Sequence, residues 1–169
     1  MEKWVPIMYK KSIFDVDYDK LKDMGIKCLL FDLDNTLIEA RSTIPTKETV
    51  RLIEGLNKDF DVFVISNSPT QRLEKIKNNL PINYYAWSFK PSKRNFRKVL
   101  KKYSKEEIIL IGDQFVTDVF GSIRVGIKVV LVDPLSSDLA CTKFNRYLED
   151  KIIKKLGNEN LFFKGKYYD

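Results

Sequence analysis

The sequence predicts an α/β protein of three layers, with helices on both faces of an open parallel sheet. Three observations predict it. Short unbroken apolar runs alternate along the chain with amphipathic helical patterns. The strongest runs end in Asp, Ser or Gly-Asp, the residue types that line the carboxyl edge of a parallel sheet where ligands bind. The length, 169 residues, supplies one ordinary core and is too short for two.

The first run, residues 27–31 (Lys-Cys-Leu-Leu-Phe), stops at Asp32. Unbroken rather than alternating apolar residues suit a strand buried on both faces. A helix over 46–59 follows, with Val50, Ile53, Leu56 and Phe60 on one side. The second run, 62–65, ends at Ser66. Ser68 as N-cap, Pro69 in the first turn and Gln71 three residues on then predict a helix over 69–79. A weaker strand falls at 82–87, and Ser92 opens a helix that reaches Tyr103. Residues 108–111 form the next strand and run into Gly112-Asp113, followed by a helix over 116–125. The run 129–132 ends at Asp133. A last helix over 138–156 aligns Leu148, Ile152 and Leu156, with Lys143, Arg146, Lys151, Lys154 and Lys155 as its charged side. The expected organisation is a single domain over 1–169. Residues 1–24 form an N-terminal arm, 25–134 the core, and 135–169 a C-terminal helix and tail.

Composition excludes several chemistries. Histidine is absent, so Ser-His-Asp, Cys-His and histidine-phosphorylating catalysis and His-ligated zinc are ruled out. The two cysteines, Cys28 and Cys141, are too few for a disulfide framework or a four-Cys metal site. Cysteine phosphatases place Arg six residues beyond the nucleophile; here those positions hold Asp34 and Tyr147. Carboxylates, hydroxyls, lysines and a metal remain. The net charge of +7 favours acidic partners, although the lysines read as spread along the chain and no Arg-rich arm or RNA-binding motif accompanies them. No run approaches the eighteen or so apolar residues of a membrane span, and the N-terminus lacks a signal-peptide core. A cytoplasmic protein with reduced thiols is expected.

The chemistry concentrates at strand ends. In Asp32-Leu33-Asp34-Asn35-Thr36, residues two apart leaving a strand point the same way, which would bring both carboxylates to one site. One carboxylate can attack phosphorus and the other can exchange protons with leaving group and water. Asp113 adds a third carboxylate, and carboxylates gathered this closely imply a hard cation such as Mg²⁺. Ser66-Asn67 before a helix offers a hydroxyl and free amides to an anion. Lys90, before the next helix, could neutralise a phosphoryl group. Asp118 follows as a charge at a helix start or as an orienting group for the metal site.

These motifs, in this order, resemble the haloacid dehalogenase (HAD) superfamily: Asp32-x-Asp34-x-Thr36, Ser66, Lys90, then Gly112-Asp113-x-x-x-x-Asp118. The resemblance implies a Rossmann-like fold and assigns roles. Asp32 is the expected nucleophile and a metal ligand. Asp34 is the expected general acid/base, with its backbone carbonyl on Mg²⁺. Asp113 is the remaining ligand, with Asp118 in support. Ser66, Asn67 and Lys90 hold the phosphoryl group, while Thr36 and Asn35 shape the loop. Residues 35–45 and 67–89 leave no room for a large cap domain, so an open site is expected.

Across its length the chain resembles the capless IIIA branch and its YqeG family, which is similar to organellar phosphatidylglycerophosphate phosphatases. The resemblance rests on the motifs above and on the stretches 6–17, 25–37 and 112–121. It implies a phosphatase that yields phosphatidylglycerol, and thus an anionic phospholipid headgroup as substrate. The N-terminal segment sets Trp4, Val5, Ile7, Met8, Tyr9, Ile13 and Phe14 among Lys3, Lys10 and Lys11, a pattern that suits a strand or arm packed on the domain, a peripheral contact at the inner membrane face, or both. The competing readings are a phosphatase of a soluble sugar phosphate or nucleotide, and a non-catalytic module docking on RNA or ribosomes.

Overall fold

The computed structural model describes residues 5–136 and 143–169. Expectations that involve Lys3, Trp4 or Cys141, the start of the last helix, and the side chains of Lys143 and Arg146 lie outside the described residues.

Six parallel strands form one open sheet in the order β1-β6-β5-β2-β3-β4. They are β1 (Met8–Lys10), β2 (Cys28–Phe31), β3 (Asp61–Ile65), β4 (Asn83–Tyr85), β5 (Ile108–Gly112) and β6 (Lys128–Val132). The helices are α1 (Tyr18–Asp23), α2 (Lys47–Leu56), α3 (Thr70–Lys77), α4 (Arg94–Val99), α5 (Phe120–Ile123) and α6 (Lys143–Asn158).

Alternation along the buried strands builds two cores. Leu29 and Phe31 of β2 face one side with Val62, Val64, Ile109 and Ile111; Leu21 of α1, Ile53 of α2 and Leu73 of α3 cover them. Cys28 and Leu30 face the other side with Phe63, Ile65, Ile108 and Leu110, under Phe96 of α4, Phe115 and Leu156 of α6. This is the expected three-layer arrangement. It explains the unbroken apolar runs, because every residue of β2 and β5 is buried. Burial also pushes the Cys28 thiol up to about 12, so it is an inert core group.

Register decides where the site forms. Phe31 pairs with Val64 on one side and Ile111 on the other, so β2, β3 and β5 end nearly level. The order of the strands reverses between β2 and β5, which is where an open α/β sheet leaves its crevice. Asp32, Ser66 and Asp113 each begin the loop that follows one of these strands.

Residues 8–10 of the N-terminal segment form a sheet strand beside β6, one of the packed forms expected of it. Two local expectations give way. Ser68 does not cap α3: Pro69 occupies that position without a side-chain cap, and the Ser68 hydroxyl bonds to Asp34 and Arg72 instead. The helix expected over 116–125 opens as a wide π-type turn (Phe115–Val119) before α5. There the amides of Asp118 and Val119 both donate to the Gln114 carbonyl, at 3.0 and 3.2 Å. Thr46 caps α2 as its type predicts, accepting from the Thr49 amide at 3.1 Å.

The C-terminal tail covers the β1 edge. Tyr9 and Tyr168 exchange two backbone hydrogen bonds of 3.0 Å in an antiparallel bridge. The Tyr9 and Tyr167 hydroxyls each donate to Asp133 at 2.5 Å. Phe162 packs against Tyr9 and Phe115 with ring centroids 5.1 and 4.9 Å apart. Among the described residues no helix is long and apolar enough to cross a membrane.

Phe162 is buried where tail, β1 and the π-type turn meet. Phe162→Ala is expected to lower unfolding free energy by about 3 kcal/mol, measured by denaturant titration.

Candidate active site

Beyond β2 the chain folds on itself. The Leu33 carbonyl accepts from Leu37 and Ile38 at 3.0 and 3.2 Å, with Leu33 and Leu37 fully buried beneath. Asn35 turns the corner at φ 61°, a conformation that Asn tolerates better than most residues. Its side-chain oxygen accepts from Ala40 and Ser136 at 3.3 and 3.0 Å, tying this loop to the one after β6.

Lys90 is the hub. Its ammonium donates to Asp32 Oδ1 at 2.5 Å and to Asp118 Oδ1 at 2.6 Å, with all three side chains buried. The second Asp118 oxygen accepts from the Gln114 amide at 3.1 Å, so the π-type turn and its own acidic residue hold each other in place. A Cβ at Gly112 would lie 2.5–2.8 Å from the Asp118 carboxylate. Glycine is therefore what lets Asp118 tuck under the end of β5. Thr36 Oγ1 donates to Asp113 Oδ1 at 3.1 Å, which gives the expected loop residue a direct contact.

One oxygen from each of Asp32, Asp113 and Asp118 lies within 4.8 Å of the others. Three buried carboxylates thus share one ammonium. Burial drives Asp32 up to about 6, against the pull of Lys90 and helped by the charge of Asp118. Burial and then the charges of Asp32 and Asp118 push Asp113 well above the usual carboxylate range. Lys90 resists the effect of its own burial, because Asp118 and Asp32 favour its charged form and raise it. The excess of negative charge and the all-oxygen donor set fit a small divalent cation. Asp32, Asp113 and Asp118 could hold it, and of these Asp118 already accepts hydrogen bonds on both oxygens.

The phosphate-binding candidates are each held by hydrogen bonds. Ser66 Oγ accepts from the Ser68 amide at 3.0 Å. Asn67 Oδ1 accepts from the Lys90 amide at 2.6 Å while its Nδ2 donates to the Lys90 carbonyl at 3.3 Å. Asn67 thus fixes the backbone that carries Lys90. The Lys90–Pro91 peptide is cis.

Asp34 stands apart from this cluster. Arg72 of α3 grips both its oxygens, at 2.6 and 2.7 Å, and the Arg41 amide and Ser68 hydroxyl donate at 3.0 and 3.2 Å. Burial alone would raise Asp34, but the hydrogen bond and charge of Arg72 prevail and hold it below the usual carboxylate range. Arg72 also donates to the Ser42 carbonyl through Nε and Nη2, at 3.2 and 2.8 Å. Sequence reasoning missed Arg72. The available signal was its place four residues after Ser68, one helical turn away. A cavity of about 180 Å³ adjoins the cluster at Asp113 and runs to Phe162 and Lys164 of the tail.

The profile of the family described as mitochondrial PGP phosphatase matches residues 3–136. The "Probable phosphatase YqeG" of Bacillus subtilis (strain 168) is 32% identical over 157 residues, covering 90% of this chain and 91% of that protein. The "Phosphatidylglycerophosphate phosphatase 1, chloroplastic/mitochondrial" of Arabidopsis thaliana is 26% identical over 148 residues, 78% of this chain but 41% of the plant protein. A crystal structure of an uncharacterized protein from Listeria monocytogenes serotype 4b shares the fold, with a TM-score of 0.57 at 19% identity, over 69% of this chain and 85% of that one.

Arg72→Ala removes the cation and leaves Asp34 partly buried. The Asp34 carboxyl is expected to titrate at least about one unit higher in the variant, read by carboxyl-carbon NMR. An unchanged titration would show that Arg72 does not govern its protonation.

Proposed function

The chain belongs to the family described as mitochondrial PGP phosphatase and is a phosphatase of the HAD type, and on that premise we propose that it removes the terminal phosphate of phosphatidylglycerophosphate through an aspartyl-phosphate on Asp32. The observation that carries this reading is the buried ammonium of Lys90, fixed between Asp32 and Asp118 where strand order reverses. That geometry places a permanent positive charge beside the carboxylate that would receive a phosphoryl group.

Asp32 attacks phosphorus as the bond to the alcohol oxygen breaks. The leaving oxygen takes its proton from the Asp34 carboxyl. In the second half, the Asp34 carboxylate takes a proton from the water that attacks the aspartyl-phosphate, releasing phosphate and restoring Asp32. Arg72 keeps Asp34 ionised before substrate arrives, so the acid form requires that at least one of its bonds to Asp34 be released. Lys90, with the Ser66 hydroxyl, offsets the phosphoryl charge, and Asn67 keeps Lys90 in place. Asp32, Asp113 and the backbone carbonyl of Asp34 would hold Mg²⁺, with Asp118 and Thr36 orienting the set. When bound, Mg²⁺ would neutralise charge on the phosphoryl oxygens and on the nucleophile.

The lipid enters through the family and the open site. The loop between β3 and α3 spans only 66–69, and nothing of domain size interrupts the chain between β2 and α2. A carboxyl edge without a domain-sized insertion after β2 or β3 can approach a headgroup that stays anchored in its bilayer.

The test is phosphate release from phosphatidylglycerophosphate in mixed micelles, with and without Mg²⁺. Release is expected to need the metal and to fall at least about a thousandfold in Asp32→Asn. Because Asp32 is raised to about 6, beside an Asp113 that is raised as well, the metal-free site takes up a proton on Asp32 as pH falls through about 6, and Mg²⁺ must displace it. The Mg²⁺ concentration for half-maximal rate should therefore rise below that pH. Cleavage of a generic aryl phosphate without cleavage of the lipid would keep the phosphatase and discard the substrate.

A further inference from the structure

The loop between β4 and α4 presents two large rings to solvent beside the hub lysine. Trp87 is 48% exposed and Phe89 is 58% exposed, and the rings stack with centroids 6.1 Å apart and planes 22° from parallel. Both residues have positive φ, 47° and 50°. Bulky side chains rarely adopt that conformation, and it persists only where surrounding contacts impose it.

Here Ser88 imposes it. Ser88, between Trp87 and Phe89 in sequence, is fully buried; its amide donates to the Ser66 carbonyl at 2.9 Å and its hydroxyl to the Tyr85 carbonyl at 2.8 Å. Asn95 Nδ2 donates to the Ser88 hydroxyl at 2.9 Å and to the Ala86 carbonyl at 3.0 Å. The Trp87 amide bonds to the Ser68 carbonyl at 3.0 Å. The chain therefore runs out, in, out. Its inward residue is fastened to the Ser66 loop, and the residue after Phe89 is Lys90.

Positive charge is concentrated in this part of the sequence: residues 75–105 contain ten Lys and Arg and no Asp or Glu, of which Lys90 is buried in its ion pairs with Asp32 and Asp118. The lysines are thus not spread along the chain, as the sequence first suggested. Arg94, Arg97 and Lys98 of α4 are exposed.

We propose that Trp87 and Phe89 are an interfacial wedge that seats the mouth of the active site on an anionic bilayer, with the basic stretch around α4 as its electrostatic cushion. The inference rests on the phospholipid reading above and deepens it by naming the docking surface. Paired aromatic rings beside a cationic field are what a headgroup layer accommodates. A second copy of this chain would set the exposed Arg94, Arg97 and Lys98 against the same like charges. Single-stranded RNA would need ring faces open for base stacking, whereas these rings cover one another.

The experiment uses the full chain with Trp4→Phe, which leaves Trp87 as the sole tryptophan of the original two. Vesicles of phosphatidylcholine with phosphatidylglycerol should shift its emission to the blue, and brominated acyl chains should quench it; pure phosphatidylcholine should do neither. Trp87→Ser with Phe89→Ser, in the unaltered chain, should weaken vesicle binding and lipid hydrolysis in vesicles by at least about tenfold, with aryl-phosphate turnover unchanged. Quenching without any hydrolysis of phosphatidylglycerophosphate would support the wedge while sinking the substrate. Lipid hydrolysis with no quenching, and with vesicle binding intact in the double variant, would overturn the wedge while sparing the substrate. A shift produced by oligouridylate and not by vesicles would overturn it in favour of RNA.

Discussion

A buried ammonium between carboxylates from different loops is the constraint on which the site depends. Lys90 reaches Asp32 after β2 and Asp118 after β5, so one cation joins two strand ends that the sheet only brings near each other. Removing one partner from such a buried pair typically costs about 3–5 kcal/mol, because the other charge is left uncompensated. The remaining geometry serves that cation. Asn67 fixes its backbone, Gly112 makes room for Asp118, and the π-type turn supplies an amide to the oxygen that Lys90 leaves. With three carboxylates against one ammonium, the cluster is still short of positive charge, and this shortage is the physical basis for a metal.

The two aspartates of the Asp-x-Asp motif occupy different electrostatic settings. Asp32 is pushed up by burial among other acids, whereas Asp34 is pulled down by Arg72. Environments that drive two carboxyls apart are how acid, base and nucleophile roles become distinguishable within one motif. Arg72 also bonds the Ser42 carbonyl, so it couples Asp34 to the loop that leads into α2.

Much of this was legible in sequence wherever burial on both faces leaves a strong signal. The runs at 27–31, 62–65, 108–111 and 129–132 fall within one residue of β2, β3, β5 and β6 at each end. Since those strands end level, the polar residues after them converge, which is why the sequence alone groups Asp32, Asp113, Lys90 and Asp118. β1 is three residues long at the sheet edge, and its bridge to Tyr168 at the far end of the chain leaves no trace in local pattern. The departures have physical causes. Ser68 carries a capping signature, but Asp34 and Arg72 outcompete the helix for its hydroxyl. No property of residues 32–36 records that a side chain from α3 grips Asp34.

Covalent capture of phosphate on Asp32 tests the chemistry most directly. Rapid quenching of the enzyme with ³²P-labelled substrate should trap a protein-bound phosphate that survives acid, is released by hydroxylamine, and maps to the peptide carrying Asp32. The Asp32→Asn protein should trap none. A full burst of product with no bound phosphate, or label on any other residue, would contradict Asp32 as the nucleophile.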